Sequence, residues 1–228
     1  MTLTTHSSEL ITQTYRAILF DLDGTLVDSV PIILRAFREV HEQMGLPFDE
    51  PAVRKLVGIP LQDQAVIFAG DRAQEFTDRY VPLYLGYQTA DMRLFPGTVE
   101  MLDELRRRGY RLGLVTSKST AGAGRALGQT GIRDRFDVVV TADDVTNRKP
   151  HPDPILKALK ALGVRPDEAL YVGDSLFDVD AARRANVDMA AVSWGARSKD
   201  DLLLECPDRV FDTWREFLAW LPPSIAPS

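Results

Sequence analysis

Cysteine is almost absent. Cys206 stands alone in 228 residues, so an intramolecular disulfide is impossible and there is no paired-cysteine redox or metal motif. A reducing compartment is the natural expectation, and we place the protein in the cytoplasm. Long apolar runs are missing as well. No stretch approaches the ~18 apolar residues of a membrane span, so no membrane partner is expected. Segment 1–14, rich in Thr and Ser, lacks the apolar stretch of a secretory leader and is expected to be a flexible N-terminus. Basic runs are limited to Arg106, Arg107 and Arg108, which sit just before Gly109, where cations suit a helix C-terminus. With a net charge of −6 and an isoelectric point near 5.1, the whole-protein field repels polyanions, and no nucleic acid partner is expected.

What is present is ordinary for a folded, soluble chain: 45% apolar and 26% charged residues, 15 glycines and 14 prolines. The length allows one large domain or a core with an insertion, as a monomer or homodimer. Short apolar runs at Ala17 to Phe20, Leu112 to Val115, Phe136 to Val140, Ala169 to Val172 and Met189 to Val192 read as buried strands. They alternate with helical patterns such as Thr98 to Arg108 and Pro154 to Leu162. This rhythm predicts an α/β fold, a Rossmann-like parallel sheet with helices on both faces. From about Val30 to Met92 it is interrupted by helical spacing alone. Ser29 is a candidate N-cap; Ile32, Ile33, Ala36, Phe37, Val40 and Met44 form the first stripe, and Gly45 stops it. The expected organisation is a core of residues 15–29 and 93–221, an inserted helical cap of residues 30–92, and a loose tail of residues 222–228.

Three polar residues directly follow apolar strands: Asp21, Thr116 and, after Gly173, Asp174. Ligands of open parallel sheets bind at the carboxyl ends of the strands, so these distant positions are expected to converge on one crevice. A bare Asp-x-Asp such as Asp21-Leu22-Asp23 is a weak signal. The longer string Asp21-Leu22-Asp23-Gly24-Thr25-Leu26-Val27-Asp28-Ser29 is not, and three further strings follow in order: Val115-Thr116-Ser117-Lys118, Arg148-Lys149-Pro150, and Gly173-Asp174-Ser175-Leu176-Phe177-Asp178. Together with Trp194-Gly195, they resemble the four signatures of the haloacid dehalogenase superfamily, in its phosphoglycolate phosphatase-like branch, over roughly Tyr15 to Gly195.

That resemblance implies an Mg²⁺-dependent phosphatase for small phosphorylated metabolites that works through an aspartyl-phosphate. It implies Asp21 as nucleophile, Asp23 as general acid and base, and Asp21, the Asp23 backbone carbonyl and Asp174 as metal ligands. Thr116, the backbone N–H of Ser117 and Lys149 are implied to bind the phosphoryl oxygens, and Asp178 to hold Lys149 or a metal-bound water. The chain departs from the pattern at Ser117, where many relatives have Asn, and at Ala185-Asn186, where Ala-Gly is usual. Asn is the side chain that best tolerates a left-handed turn, so the second departure leaves the fold intact. Rival readings are a haloacid dehalogenase, which Asp23 and Asp174 oppose, and a β-phosphoglucomutase-like mutase, whose Gly-x-Ser-Arg cap sequence is replaced here by Gly58-Ile59-Pro60-Leu61. A catalytically silent binding protein would be expected to have lost Asp21 or Asp174. His151, between prolines, reads as a turn residue, and Arg54, Lys55 and Arg79 as surface ion-pairing groups that could alternatively meet a substrate carboxylate.

Overall fold

The computed structural model describes residues 15–222. The expected N-terminal segment, and all of the expected tail beyond Pro222, lie outside the described residues. A parallel sheet is built from β1 (Ala17–Phe20), β2 (Arg111–Val115), β3 (Val138–Val140), β4 (Ala169–Gly173), β5 (Asp188–Val192) and β6 (Arg209–Phe211), in the order β3-β2-β1-β4-β5-β6. The nucleophile candidate thus leaves a central strand, flanked by the strands that carry Thr116 and Asp174.

The helices are, in chain order, α1 (Val30–Met44), α2 (Glu50–Leu56), α3 (Leu61–Ala69), α4 (Ala73–Asp91), α5 (Thr98–Arg107), α6 (Thr120–Thr130), α7 (Asp153–Leu162), α8 (Leu176–Ala185), α9 (Lys199–Leu204) and α10 (Trp214–Trp220). Strand alternation splits the core between the two sheet faces. Ile18, Phe20, Leu112, Leu114 and Val172 pack under α5 and α10, through Leu102, Leu105, Trp214 and Phe217. Leu19, Tyr171 and Ala191 face α7 and α8, through Ile155, Leu159 and Val179. Tyr171 places a phenol in a fully buried strand, and that hydroxyl becomes part of the site.

Two elements differ from the sequence reading. β3 begins at Val138, not Phe136, because Arg133–Arg135 forms a short 3-10 turn and the Asp137 carboxylate accepts the Leu112 N–H at 2.8 Å. β6 has only three residues, one of them exposed, and its Arg209-Val210-Phe211 has too little apolar content to announce a strand. Residues 30–91 form α1–α4, entered and left by neighbouring backbone: Asp28 N–H donates to Arg93 O at 2.9 Å and Phe95 N–H to Leu26 O at 3.0 Å. α1 runs to Met44 and ends on Gly45 in the left-handed region, as its stripe predicts. Ser29 occupies the N-cap position without capping, because its hydroxyl goes to Asp23 instead.

The Asn186 departure is also explained. It terminates α8 at φ 54°, ψ 44°, with its N–H in the C-terminal capping pattern. A β-carbon without a compensating polar group is unfavourable there by ~1–2 kcal/mol. Asn186→Ala is therefore expected to lose about 1 kcal/mol in urea unfolding, whereas Asn186→Gly should remain within ~0.5 kcal/mol of the parent.

Candidate active site

At the carboxyl ends of β1, β2 and β4, the chain buries five ionisable side chains together. Lys149 Nζ donates to Asp21 Oδ1 at 2.8 Å, to Asp178 Oδ1 at 2.7 Å and to the Tyr171 hydroxyl at 3.1 Å. The Tyr171 hydroxyl in turn donates to Asp178 Oδ1 at 3.0 Å. Asp174 completes the group: its Oδ1 accepts from the Thr25 hydroxyl at 2.8 Å and its Oδ2 from the Ala196 N–H at 2.7 Å. Gly24 and Gly195 make this close approach possible, because a methyl group at either position would collide with the Asp174 carboxylate, and Gly24 also needs φ +77°. Trp194 holds the cradle from outside, its indole N–H donating to Thr25 O at 3.0 Å.

Burial sets the electrostatics. It pushes the Asp21 carboxyl up to about 7, with Lys149 opposing the rise and Asp178 and Asp23 adding to it. Asp174 lies well above the usual carboxylate range, first through burial and then through Asp178 and Asp21, against the pull of its hydrogen bonds to Ala196 and Thr25. For Lys149, burial disfavours the charge, but Asp178 and Asp21 outweigh it and hold the ammonium well above the ordinary lysine range.

A carboxylate oxygen from each of Asp21, Asp174 and Asp178 lies within 4.8 Å of the others. Asp178 is the poorest ligand of the three. Its Oδ1 already accepts from Lys149 and Tyr171, and its Oδ2 from the Ser175 N–H and hydroxyl at 3.1 and 2.6 Å. Asp174 has no cationic partner, and Asp21 Oδ2 has no protein partner among the described residues. An all-oxygen donor set with excess negative charge suits a hard divalent cation.

Asp23 lies beside this group and half turns toward the helical segment. Its Oδ1 accepts from Ser29 Oγ at 2.5 Å and its Oδ2 lies 3.0 Å from Lys118 Nζ, which also donates to the Tyr84 hydroxyl of α4 at 2.9 Å. Burial alone would lower the Lys118 ammonium, but Asp23 and Tyr84 raise it above the lysine range. Thr116 is buried at the end of β2, and its Oγ1 accepts the Lys118 N–H at 3.2 Å. The Ser117 hydroxyl is committed to Gly58 O at 2.6 Å, which leaves its backbone N–H as its only donor toward a ligand. Asp21, Asp23, Thr116 and Ser117 all line a cavity of about 270 Å³ whose far wall is contributed by α3, α4 and the Val57–Pro60 segment.

The sequence-predicted residues Asp21, Asp23, Thr116, Ser117, Lys149, Asp174 and Asp178 therefore meet at one place. Tyr171, Lys118 and Thr25 were not singled out from sequence. Lys118 and Thr25 stand inside the quoted strings, and a tyrosine in an otherwise aliphatic buried strand is the signal that could have found Tyr171. Arg54 and Arg79 pair with Glu50 and Glu75 at 3.4 and 3.0 Å, and neither they nor Lys55 line the cavity.

Residues 18–192 match the family described as haloacid dehalogenase-like hydrolases. The chain is 35% identical over 206 residues to a phosphoglycolate phosphatase of Nitrosococcus oceani, covering 86% of this chain and 92% of the relative. It is 32% identical over 211 residues to the pyrophosphatase PpaX of Oceanobacillus iheyensis, covering 92% and 99%. A solved haloacid dehalogenase-like hydrolase of Streptococcus pneumoniae superposes with a TM-score of 0.80 at 32% identity, covering 90% of this chain and 98% of that one. The chain belongs to the haloacid dehalogenase-like hydrolases.

A carboxyl raised to about 7 holds a proton at mildly acid pH, and a cation binding at that oxygen would have to displace it. Its contribution to stability is complete below its unfolded value and is lost as pH rises through about 7, where the carboxylate takes over. Millimolar Mg²⁺ is therefore expected to raise the melting temperature more at about pH 8 than at about pH 5.5. Melting curves with and without the ion check this, and equal shifts at both pH values would contradict it.

Proposed function

We propose that this hydrolase is a phosphatase for small phosphate monoesters in which Asp21 carries the phosphoryl group. The observation that supports it best is the placement of Asp21: buried, held through one oxygen by Lys149, and lining a cavity that Asp23 also lines. The names of the relatives, a phosphoglycolate phosphatase and a pyrophosphatase, support the same reading.

In this reading an Asp21 oxygen attacks phosphorus, and the bond from phosphorus to the leaving oxygen breaks. Asp23 gives that oxygen a proton. Water then attacks the same phosphorus, Asp23 takes its proton, and the Asp21 carboxylate and inorganic phosphate are released. Lys149, the Thr116 hydroxyl and the Ser117 N–H bind the phosphoryl oxygens. An incoming phosphoryl group competes with Asp23 for Lys118, which frees the carboxyl to exchange protons with the leaving oxygen. Asp21, the Asp23 carbonyl and Asp174 would hold Mg²⁺, with Asp178 behind them, and the ion would offset the negative charge of the transferring group.

We assign residues 30–92 as a cap over a core of residues 15–29 and 93–221. Such a roof limits substrates to small molecules and excludes water from the chemistry. The single cysteine and acidic charge support a cytoplasmic location.

Asp21→Asn is expected to remain folded and lose all turnover of a chromogenic phosphate ester, and Asp23→Asn to fall by ~10²–10⁴-fold in kcat with a poor leaving group. Substantial residual kcat in a folded, pure Asp21→Asn sample would rule out the covalent route. Mg²⁺ should activate, and Ca²⁺ should inhibit, because it often takes a carboxylate through both oxygens and so competes for the attacking one. Activity insensitive to a chelator would favour a dehalogenase, and isomerisation of β-glucose 1-phosphate a mutase.

A further inference from the structure

The wall opposite Asp21 carries no charge. α4 turns a helical stripe toward the cavity, including Thr77, Tyr80, Tyr84 and Gln88, while α3 adds Gln64. Between these polar tips lie apolar side chains such as Ile33, Val81 and Leu85. Gln88 and Tyr80 are 3% and 6% exposed, and what they expose faces the cavity, where neither the Gln88 amide nor the Tyr80 hydroxyl meets a protein partner among the described residues. Gln64 gives its Nε2 to Ile59 O at 2.9 Å, which fixes the orientation of the amide, and its Oε1 is left buried and unpaired. The Tyr80 ring is held by Phe37, Phe76 and Tyr84, with centroids 4.9, 6.4 and 5.6 Å away, so its hydroxyl is preorganised.

Gln64 Oε1 is an acceptor that only a donor can satisfy, and a hydroxyl can donate to it while accepting from Gln88 or Tyr80, whereas an ionised carboxylate or phosphate oxygen can only accept. A carboxylate or phosphate on the leaving group would have to be desolvated against lining side chains of α3 and α4 that carry no cation, beside a Lys118 already held by Asp23 and Tyr84. Among the cavity's other basic residues, Arg125 of α6 is exposed at its rim and Arg148 is half-buried in the loop before Lys149. Resting on the phosphatase reading, we infer that Gln88 and Tyr80, with Gln64 beside them, select substrates whose leaving group is a small, neutral, hydroxyl-bearing alcohol, in preference to one with a second anionic group.

Four esters test this on the full-length enzyme with Mg²⁺: glycerol 1-phosphate, n-propyl phosphate, 2-phosphoglycolate and pyrophosphate. The expected order puts glycerol 1-phosphate at least about tenfold above n-propyl phosphate in kcat/KM, and above both substrates with an anionic tail. Gln88→Leu and Tyr80→Phe should each reduce the ratio of glycerol 1-phosphate to n-propyl phosphate severalfold, toward unity. A wild-type enzyme that prefers 2-phosphoglycolate or pyrophosphate, with that preference removed by Arg125→Ala, would assign specificity to the charged rim and overturn the inference while leaving the phosphatase reading in place. An unchanged ratio in both variants would overturn it equally. Failure of the wild type on every ester would remove the phosphatase reading and the inference with it.

Discussion

Three carboxylates and one ammonium share a buried volume, and that imbalance governs the site. Like charges about 4 Å apart repel by roughly 4 kcal/mol even at an effective dielectric near 20, and Asp21, Asp174 and Asp178 bring oxygens within 4.8 Å of one another. Lys149 reaches only two of them. A protein folds around such a group only if protons or a further cation make up the difference, and both outcomes are chemically useful. In the proposed reading, a hard cation held by Asp21 and Asp174 would turn a repulsive pocket into one that accepts a phosphoryl anion.

The surrounding fold is arranged to hold this group still. Parallel strands β1, β2 and β4 end side by side, so residues some hundred positions apart meet without long loops. Gly24 and Gly195 allow backbone to press against Asp174, and Ser175, Tyr171 and Lys149 together occupy both oxygens of Asp178. The helical insert is tied to the same place through Lys118, which touches Asp23 on one side and Tyr84 on the other, and through Ser117, which donates to Gly58 O. The proton-transfer candidate and the substrate-facing helix are thereby linked by direct contacts.

The sequence revealed the sheet because five of its six strands are apolar runs ended by an abrupt polar residue or glycine, and the turn at Asn186 because few side chains accept its backbone angles. It revealed the charged site residues because their spacing is carried in four short strings. It hid β6, whose three residues lean on β5 and α10 and have little apolar signal of their own. It also hid the roles of Tyr171 and Ser29. A buried tyrosine is indistinguishable from ordinary core until Lys149 is seen beside it, and a serine before a helix reads as a cap until its hydroxyl is found on Asp23. The cavity stripe on α4 was obscured for a related reason. Its exposed face includes Pro82, Gly86 and Ala90 while its buried face carries Thr77, Tyr80, Tyr84 and Gln88, so the helix shows little amphipathic contrast and its neutral polar residues look like ordinary surface.

The central claim is that phosphorus becomes bonded to Asp21. Quenching a single turnover in acid, reducing with borohydride and mapping the peptides by mass spectrometry reads that bond directly, because borohydride converts an acyl-phosphate to an alcohol. The account predicts a reduced side chain at position 21, dependent on substrate and Mg²⁺, with Asp23, Asp174 and Asp178 unmodified. Turnover that leaves Asp21 unreduced throughout, or that marks another carboxylate in its place, would contradict it.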